Sequence, residues 1–236
     1  MTCSRSLMLA LELGLFLLVG CGHDWGPPGP ERSESRNIPM DQSEEVRVNL
    51  KMGAGELTVD GGAEQLMEGR FVYHRLRLRP EVSYDAAGFR GHLTVEEPSH
   101  LGGATPRYAW DLRFNDQKPL DLDVDFGAGE CRLNLGDLTL RRVSVQMGVG
   151  KLRMDLRGTP KHDYSVYVHG GVGEATIYLP GSTGIEADVQ GGIGDIHAPG
   201  LEKRDGRYVN DLYGHSNTTV HLDIRGGIGS VHLISQ

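Results

Sequence analysis

The chain is poor in cysteine, in aromatic residues and in positive charge, and the first and the last of these shortages each exclude a class of protein. Only three of its 236 residues are cysteines, and only Cys131 lies beyond residue 21, so no framework of intramolecular disulfides is available. Aromatic residues make up 6% of the chain and the formal net charge is −8. No block of Lys and Arg offsets that charge, which excludes sequence-independent nucleic-acid binding because such binding needs a basic face.

The N-terminal apolar stretch is too short to span a bilayer as a stable helix. It covers Leu7 to Val19 and is interrupted by Glu12, a length that suits a secretory signal. Residues 18–21, Leu-Val-Gly-Cys, resemble the lipobox of bacterial lipoproteins. The resemblance implies that residues 1–20 are a signal peptide, that cleavage precedes Cys21, and that this cysteine carries membrane lipid. The alternative is an ordinary cysteine after a conventional signal.

Residues 21–37 have no apolar period and are rich in Pro, Gly and charge. This composition predicts a tether that holds the following domain off the membrane. Gly22, rather than Asp, follows the cysteine. By resemblance to Gram-negative lipoprotein sorting, this predicts an extracytoplasmic protein anchored in the outer membrane, if the source has one.

Glycine, by contrast, is abundant, and its 34 residues include six copies of a Gly-x-Gly phrase flanked by alternating apolar runs. From the second copy to the fifth the spacings are 21, 23 and 21 residues. A fixed period in this range predicts stacked structural units. The phrases are Gly53-Ala54-Gly55, Gly127-Ala128-Gly129, Gly148-Val149-Gly150, Gly171-Val172-Gly173, Gly192-Ile193-Gly194 and Gly227-Ile228-Gly229.

The apolar alternation changes parity across each phrase. Even positions such as Val124 and Phe126 are apolar before the glycines, and odd positions such as Cys131 and Leu133 are apolar after them. One buried face survives this change only if the strand bends, so Gly-x-Gly predicts a corner. We expect the apolar middle residue to point inward there.

Cys131 occupies a position that is apolar in the other copies, which predicts a buried thiol; a reactive thiol is the alternative.

These patterns predict an all-β fold, a single-stranded β-solenoid of about 21-residue coils that stack in sequence order. An antiparallel β-sandwich in which each copy is a hairpin is the alternative. No Asn-Gly or Asp-Gly turn occupies the Gly-x-Gly sites, which disfavours hairpins. We expect irregular β coils over residues 38–119 and regular repeats over 120–236.

Several segments resemble the toast-rack domain of bacterial envelope lipoproteins and of cell-wall-active-antibiotic response proteins, and the later coils are similar to related adhesin-type repeat domains. The most specific stretch runs from Trp110-Asp111-Leu112 to Gly127-Ala128-Gly129-Glu130. The resemblance covers most of residues 38–236. It implies a β-solenoid-like domain with an extracytoplasmic role, and it supplies no established catalytic residues.

Four outward residues are candidates for surface contacts. Parity places Tyr167 and Tyr178 outward on one coil, where aromatic rings suit sugar or protein contacts. His197 and His232 hold equivalent positions in the last two copies, so we expect them on neighbouring strands. Together with Asp195, these two imidazoles could bind a metal ion. The simpler interpretation is that both histidines are solvated, and we predict no metal or other cofactor.

A carbohydrate-active enzyme is the catalytic alternative. A glycosidase needs two carboxylates at a fixed separation, and Asp121, Asp123 and Asp125 share an outward face. Alternating Asp on a strand is usually a solvated face that prevents aggregation. The sequence therefore favours a non-catalytic, adhesin-like binding scaffold for an envelope glycan or protein. The other alternative is an envelope-stress accessory that acts with a membrane sensor.

Overall fold

The computed structural model describes residues 29–74, 76–98 and 108–235. The predicted signal peptide and Cys21 lie outside these residues. The described chain is built from strands, with one turn of 3-10 helix at Leu76–Leu78. The strands are β1 (Arg32–Ile38), β2 (Glu45–Asp60), β3 (Met67–Tyr73), β4 (Glu81–Ala87), β5 (Arg90–Glu96), β6 (Ala109–Phe114), β7 (Leu120–Asn134), β8 (Leu140–Asp155), β9 (Tyr164–Leu179), β10 (Gly184–Ile193), β11 (Ile196–His197), β12 (Glu202–Arg204), β13 (Arg207–Val209) and β14 (Thr219–Ser235).

Six bent strands, each carrying one Gly-x-Gly phrase, form a parallel stack in the order β2, β7, β8, β9, β14 and β10. We call the part of each strand before the phrase its first arm and the part after it its second arm; β11 is the second arm of β10. A turn joins the second arms of β7, β8 and β9 to the first arms of β8, β9 and β10, so that arm, corner, arm and turn make one coil. Strands β3 to β6 lie between β2 and β7 in the chain, and β12 and β13 lie between β11 and β14. This arrangement confirms the predicted β-solenoid. Its parallel register contradicts the hairpins of the sandwich alternative.

The hydrophobic core lies between the two arms. In β7 the first arm buries Leu122 and Val124, and the second arm buries Cys131 and Leu133, each at most 1% exposed. Removal of these side chains from water is the main stabilising contribution to a stack of this kind. Burial raises the pKa of the Cys131 thiol to about 12, so the group is a neutral core residue at physiological pH. The prediction of a buried thiol is confirmed and that of a reactive one is wrong.

The glycines form the corners because no side chain fits there. The second glycine of each phrase has a positive φ, 139° at Gly150, which residues with a side chain rarely adopt. At the first glycine the next coil is too close. A Cβ on Gly171 would lie 2.5 Å from the carbonyl oxygen of Gly148, and the corresponding contacts of Gly127, Gly148, Gly192 and Gly227 are 2.2 to 2.4 Å. The predicted corner is confirmed.

The expected inward orientation of the middle residue is wrong in the coils of β2, β7 and β8. Ala54, Ala128 and Val149 are exposed, Val149 to 55%. The inside of the corner is already filled from the two flanking arms, for example by Met52 and Leu57, which are buried. These three middle residues therefore lie on the convex side of the bend.

The expected stacking in sequence order is also wrong at the C-terminal end. The last copy, on β14, inserts between β9 and β10 and pairs in parallel with both. The hairpin of β12 and β13 makes this possible. It runs along the side of β10 that faces away from β14, where Glu186 pairs with Val209, and then returns the chain to the space between β9 and β10. The C-terminal strand is therefore internal to the sheet.

The N-terminal end of the stack is closed by a cap in which antiparallel pairs predominate. Strands β5 and β6 pair with the first and second arms of β2, and β4, β3 and β1 extend the sheet from them. Residues 32–37, which the sequence assigned to the tether, form most of β1. This strand has no apolar pattern because it lies at the edge and pairs mainly through its backbone, while Glu34 also contacts Arg79.

Candidate functional site

The outward residues of the first arms form a flat polar surface, which we call the first-arm face. Strand register arranges them in three straight rows across β7, β8, β9, β14 and β10. Side chains in neighbouring strands of one row lie about 5 Å apart. The rows contain Asp121, Arg142, Ser165, His221 and Glu186; Asp123, Ser144, Tyr167, Asp223 and Asp188; and Asp125, Gln146, His169, Arg225 and Gln190.

Tyr167 stands in the middle row, between Ser144 on β8 and Asp223 on β14. It is 37% exposed, an unusual exposure for a large apolar ring on a surface that is otherwise polar. The guanidinium of Arg142 lies over the ring, 5.0 Å from its centroid, so a cation–π contact supports it. The ring is held on a strand that is paired on both sides, which makes it a rigid platform.

Glu186 is the centre of a hydrogen-bond network beside this ring. Its carboxylate accepts from the Tyr213 hydroxyl at 2.9 Å, lies 2.8 Å from Nδ1 of His221, and pairs with Arg207. Burial opposes the charge of Glu186, but the hydrogen bonds from His221, Tyr213 and Arg207 outweigh it and hold the pKa of the carboxyl below its usual range. The network ties β10, β13, β14 and the segment before β14 together.

A depression lies between Tyr167 and this network. It encloses about 540 Å³ of empty space, including its opening to solvent. Its lining offers an aromatic ring, hydrogen-bond acceptors and hydrogen-bond donors within one small area. The lining residues are Ser165, Tyr167, Glu186, Asp188, Arg207, His221, Leu222 and Asp223.

The carboxylates of this depression are suited to accepting hydrogen bonds. Asp188 and Asp223 hold paired positions on β10 and β14. Arg225 donates to Asp223 at 2.9 Å and holds the pKa of that carboxyl below its usual range. Glycoside hydrolysis needs one carboxyl whose pKa is raised so that it can donate a proton. Across the described ranges, the carboxyls with shifted pKa values are all lowered, at Glu34, Asp41, Asp155, Glu186 and Asp223.

The other three candidate contact residues lie on the opposite outward surface, formed by the second arms. The guanidinium groups of Arg153 and Arg157 contact the ring of Tyr178, at 4.8 and 4.9 Å from its centroid. His197 and His232 pair in register on β11 and β14, as expected, and their ring centroids are 5.9 Å apart. Within the part of the chain that the structure describes, no group of three or more His, Cys, Asp or Glu residues is placed to hold a metal ion.

A family model described as the N-terminal domain of toast_rack, DUF2154, matches residues 27–178. The match covers more than half of the chain, from the N-terminal cap through β8 and almost all of β9. The chain belongs to the toast-rack family. A comparison with curated proteins gave no match.

One solved structure shares this architecture over most of the chain. A protein named "putative cell adhesion protein" from Clostridium sporogenes ATCC 15579 is 29% identical, with a TM-score of 0.83 over 88% of this chain and 100% of its own. A "putative adhesin" from Bacteroides fragilis NCTC 9343 is 8% identical over 86% of this chain and 97% of its own, with a TM-score of 0.31. The Clostridium structure therefore carries the comparison of folds. No helix in the described ranges of this toast-rack chain is long and apolar enough to cross a membrane.

Sequence reasoning missed the Glu186 network of this toast-rack chain. Glu186 and His221 stand six residues before the first glycine of their phrases, so alignment of the copies was enough to place them in one row. Arg207 and Tyr213 had no such signal, because they come from the excursion between the last two copies. Their position depends on the path of the β12–β13 hairpin.

Proposed function

We propose that this toast-rack protein is a non-catalytic, adhesin-like binding module of the cell envelope that holds glycan on its first-arm face. The observation that carries the proposal is the exposed ring of Tyr167 beside a depression of carboxylates, Arg207 and His221. A sugar ring presents one apolar face and a rim of hydroxyl groups. The tyrosine ring suits the apolar face, and the charged groups suit the hydroxyls, because hydrogen bonds to charged groups are stronger than neutral ones.

The architecture supports binding in preference to catalysis. The first-arm face is a rigid parallel sheet, and its shifted carboxyls favour the ionised state, so they accept hydrogen bonds and lack the proton that glycoside hydrolysis requires. The name of the Clostridium protein, which shares the fold at 29% identity, agrees with an adhesive role.

The membrane anchor is a second part of the proposal. The lipobox resemblance at residues 18–21 supports a lipid on Cys21, and the segment from there to β1, shorter than the tether expected from the sequence, supports a domain tethered at the membrane surface. Globomycin, which blocks the lipoprotein signal peptidase, is expected to cause accumulation of the precursor. The Cys21→Ser variant is expected to lose lipid labelling and leave the membrane fraction. Normal processing in both experiments would contradict the anchor without affecting the glycan site.

The glycan site is tested by comparing two tyrosine variants on a glycan array that includes envelope polysaccharides. Tyr167→Ala is expected to lower binding at least tenfold, because it removes the exposed platform. Tyr178→Ala is the matched control, since that ring lies on the opposite surface in contact with two arginines. Equal loss in both variants, or no glycan bound by the unmodified protein, would contradict the proposal. In-cell crosslinking from position 167 to an envelope protein alone would instead support the accessory alternative.

A further inference from the structure

A cavity lies inside the corner of the C-terminal coils, where β9, β14 and β10 run side by side. It is narrow and opens to solvent, and the centre of a water-sized sphere can occupy about 50 Å³ of it. Its walls are the glycine backbone of the corners and apolar side chains from β8, β9, β14 and β11. The side chains are Met147, Leu152, Val168, Ala175, Ile224, Val231 and Ile196.

The cavity exists because one core column changes from large residues to glycine along the stack. The position before each Gly-x-Gly phrase is buried in the first three coils, where Met52, Phe126 and Met147 fill the corner. In the next three coils the same register position is Gly170, Gly226 and Gly191. Three adjacent large side chains are thus missing from one side of the core.

The backbone does not require glycine at these three positions. Their φ values lie outside the left-handed region, and a Cβ on Gly170, Gly191 or Gly226 would meet nothing within 4 Å. The corner glycines differ, because any side chain there would strike the next coil. An unfilled apolar cavity lowers stability, so the fold itself gains nothing from these three glycines.

The shape and chemistry of the cavity select one class of ligand. Three strands at a spacing of about 4.8 Å make a straight trough about 10 Å long that runs along the axis of the stack. Charged groups among its lining residues, Glu174, Asp195 and Arg225, are exposed and belong to its rim. A sugar or a peptide backbone placed in the trough would lose hydrogen bonds to water without replacement, whereas a hydrocarbon would not.

We propose that this cavity binds a single unbranched hydrocarbon chain, the acyl chain of a fatty acid or of a membrane lipid. The chain replaces the side chains missing at Gly170, Gly226 and Gly191 and completes the core of the corner. Its head group stays at the rim, in water. The cavity lies inside the corner and the glycan depression lies on the first-arm face, with Arg225 at the rim of the cavity and in an outer row of that face. The proposal therefore adds an acyl-binding activity to the glycan binding proposed above.

Fluorescence of cis-parinaric acid, a linear polyene fatty acid, tests the proposal on the delipidated full chain. The unmodified protein is expected to enhance the fluorescence with saturation at one probe per chain, and palmitate is expected to displace the probe. A second arm adds phosphatidylcholine vesicles in place of palmitate. Displacement by vesicles as well identifies lipid acyl chains as a source, whereas displacement by palmitate alone restricts the ligand to free fatty acids. Lack of saturable binding would overturn the proposal.

The variant Gly226→Met refills the middle of the trough in the way that Met147 fills its own coil. We expect at least tenfold weaker binding of parinaric acid together with an unchanged or higher melting temperature. Val149→Met is the matched control, because it adds a similar side chain on the exposed side of a corner. Should Gly226→Met fail to fold, Ala175→Leu narrows the trough from the second arm, where Leu152 stands in the neighbouring coil. Unchanged binding in the folded variant would contradict the proposed site.

Discussion

The two halves of the β-stack share one backbone and differ in what fills the corner. Strands β2, β7 and β8 place Met52, Phe126 and Met147 there, whereas β9, β14 and β10 place glycine. The strand register and the Gly-x-Gly bend are the same in both halves. The comparison separates two uses of glycine: the phrase glycines are required by backbone geometry, and the glycines before the phrase in the second half leave space.

The difference shows that the empty corner is not a requirement of the fold. The first half demonstrates that the same bend accommodates a methionine or a phenylalanine in close packing. Protein interiors normally pack as densely as organic crystals, so an apolar void beside an identical filled site is an informative departure. The void and the Glu186 network occur in the same half, one inside the corner and the other on its outer face.

The largest effect is expected from emptying the filled corner. Phe126→Ala removes a side chain that is 2% exposed and should lower the free energy of unfolding by about 3–5 kcal/mol, through lost burial and the cavity left behind. Denaturant unfolding measures the change. The exposed Val149→Ala is the control and should change stability by less than about 0.5 kcal/mol. If Phe126→Ala lowers the free energy of unfolding by less than about 1 kcal/mol, the filled corner of β7 tolerates a void as well as the unfilled corner of β9, β14 and β10 does.

A smaller effect should separate the two kinds of glycine. Gly150→Ala imposes a φ of 139° on a residue with a side chain and drives its Cβ toward the Gly129 carbonyl oxygen. We expect a loss of about 2–4 kcal/mol from strain and overpacking. Gly226→Ala, which meets no atom within 4 Å, is the matched control and should be neutral or slightly stabilising. Similar losses of stability in both variants would contradict the conclusion that Gly226 faces open space.

The smallest effect is expected on the stability that the protein loses as the pH falls. The pKa of Glu186 is lowered in the folded protein, so this carboxylate stabilises the fold above its usual pKa of 4.5, and the contribution is lost as the pH falls through the lower folded value. Between pH 7 and pH 3 the unmodified protein should therefore lose on the order of 1 kcal/mol more stability than Glu186→Gln. Amide hydrogen exchange should locate the difference in β10 and β13. An equal acid response in both proteins, or exchange that increases in β7 instead, would show that the network contributes nothing.

The sequence predicted the solenoid because two periods, alternation within a strand and about 21 residues between coils, are local and repeated. It predicted the burial of Cys131 and the pairing of His197 with His232 from position within the repeat alone. It failed for residues 32–37, because an edge strand held by backbone pairing needs no apolar pattern. It also failed for Ala54, Ala128 and Val149, because parity does not specify which side of a sharp bend a residue occupies.

The amino-acid sequence by itself determined the coils, their corners and the buried column of each arm, since these follow from side-chain periodicity and from the steric demands of glycine. Only the tertiary structure decided the order in which the coils stack. The insertion of β14 between β9 and β10 depends on a hairpin that crosses the edge of the sheet, and no local pattern encodes that path. That insertion places Gly226 between Gly170 and Gly191, and so joins three separate glycines into one cavity.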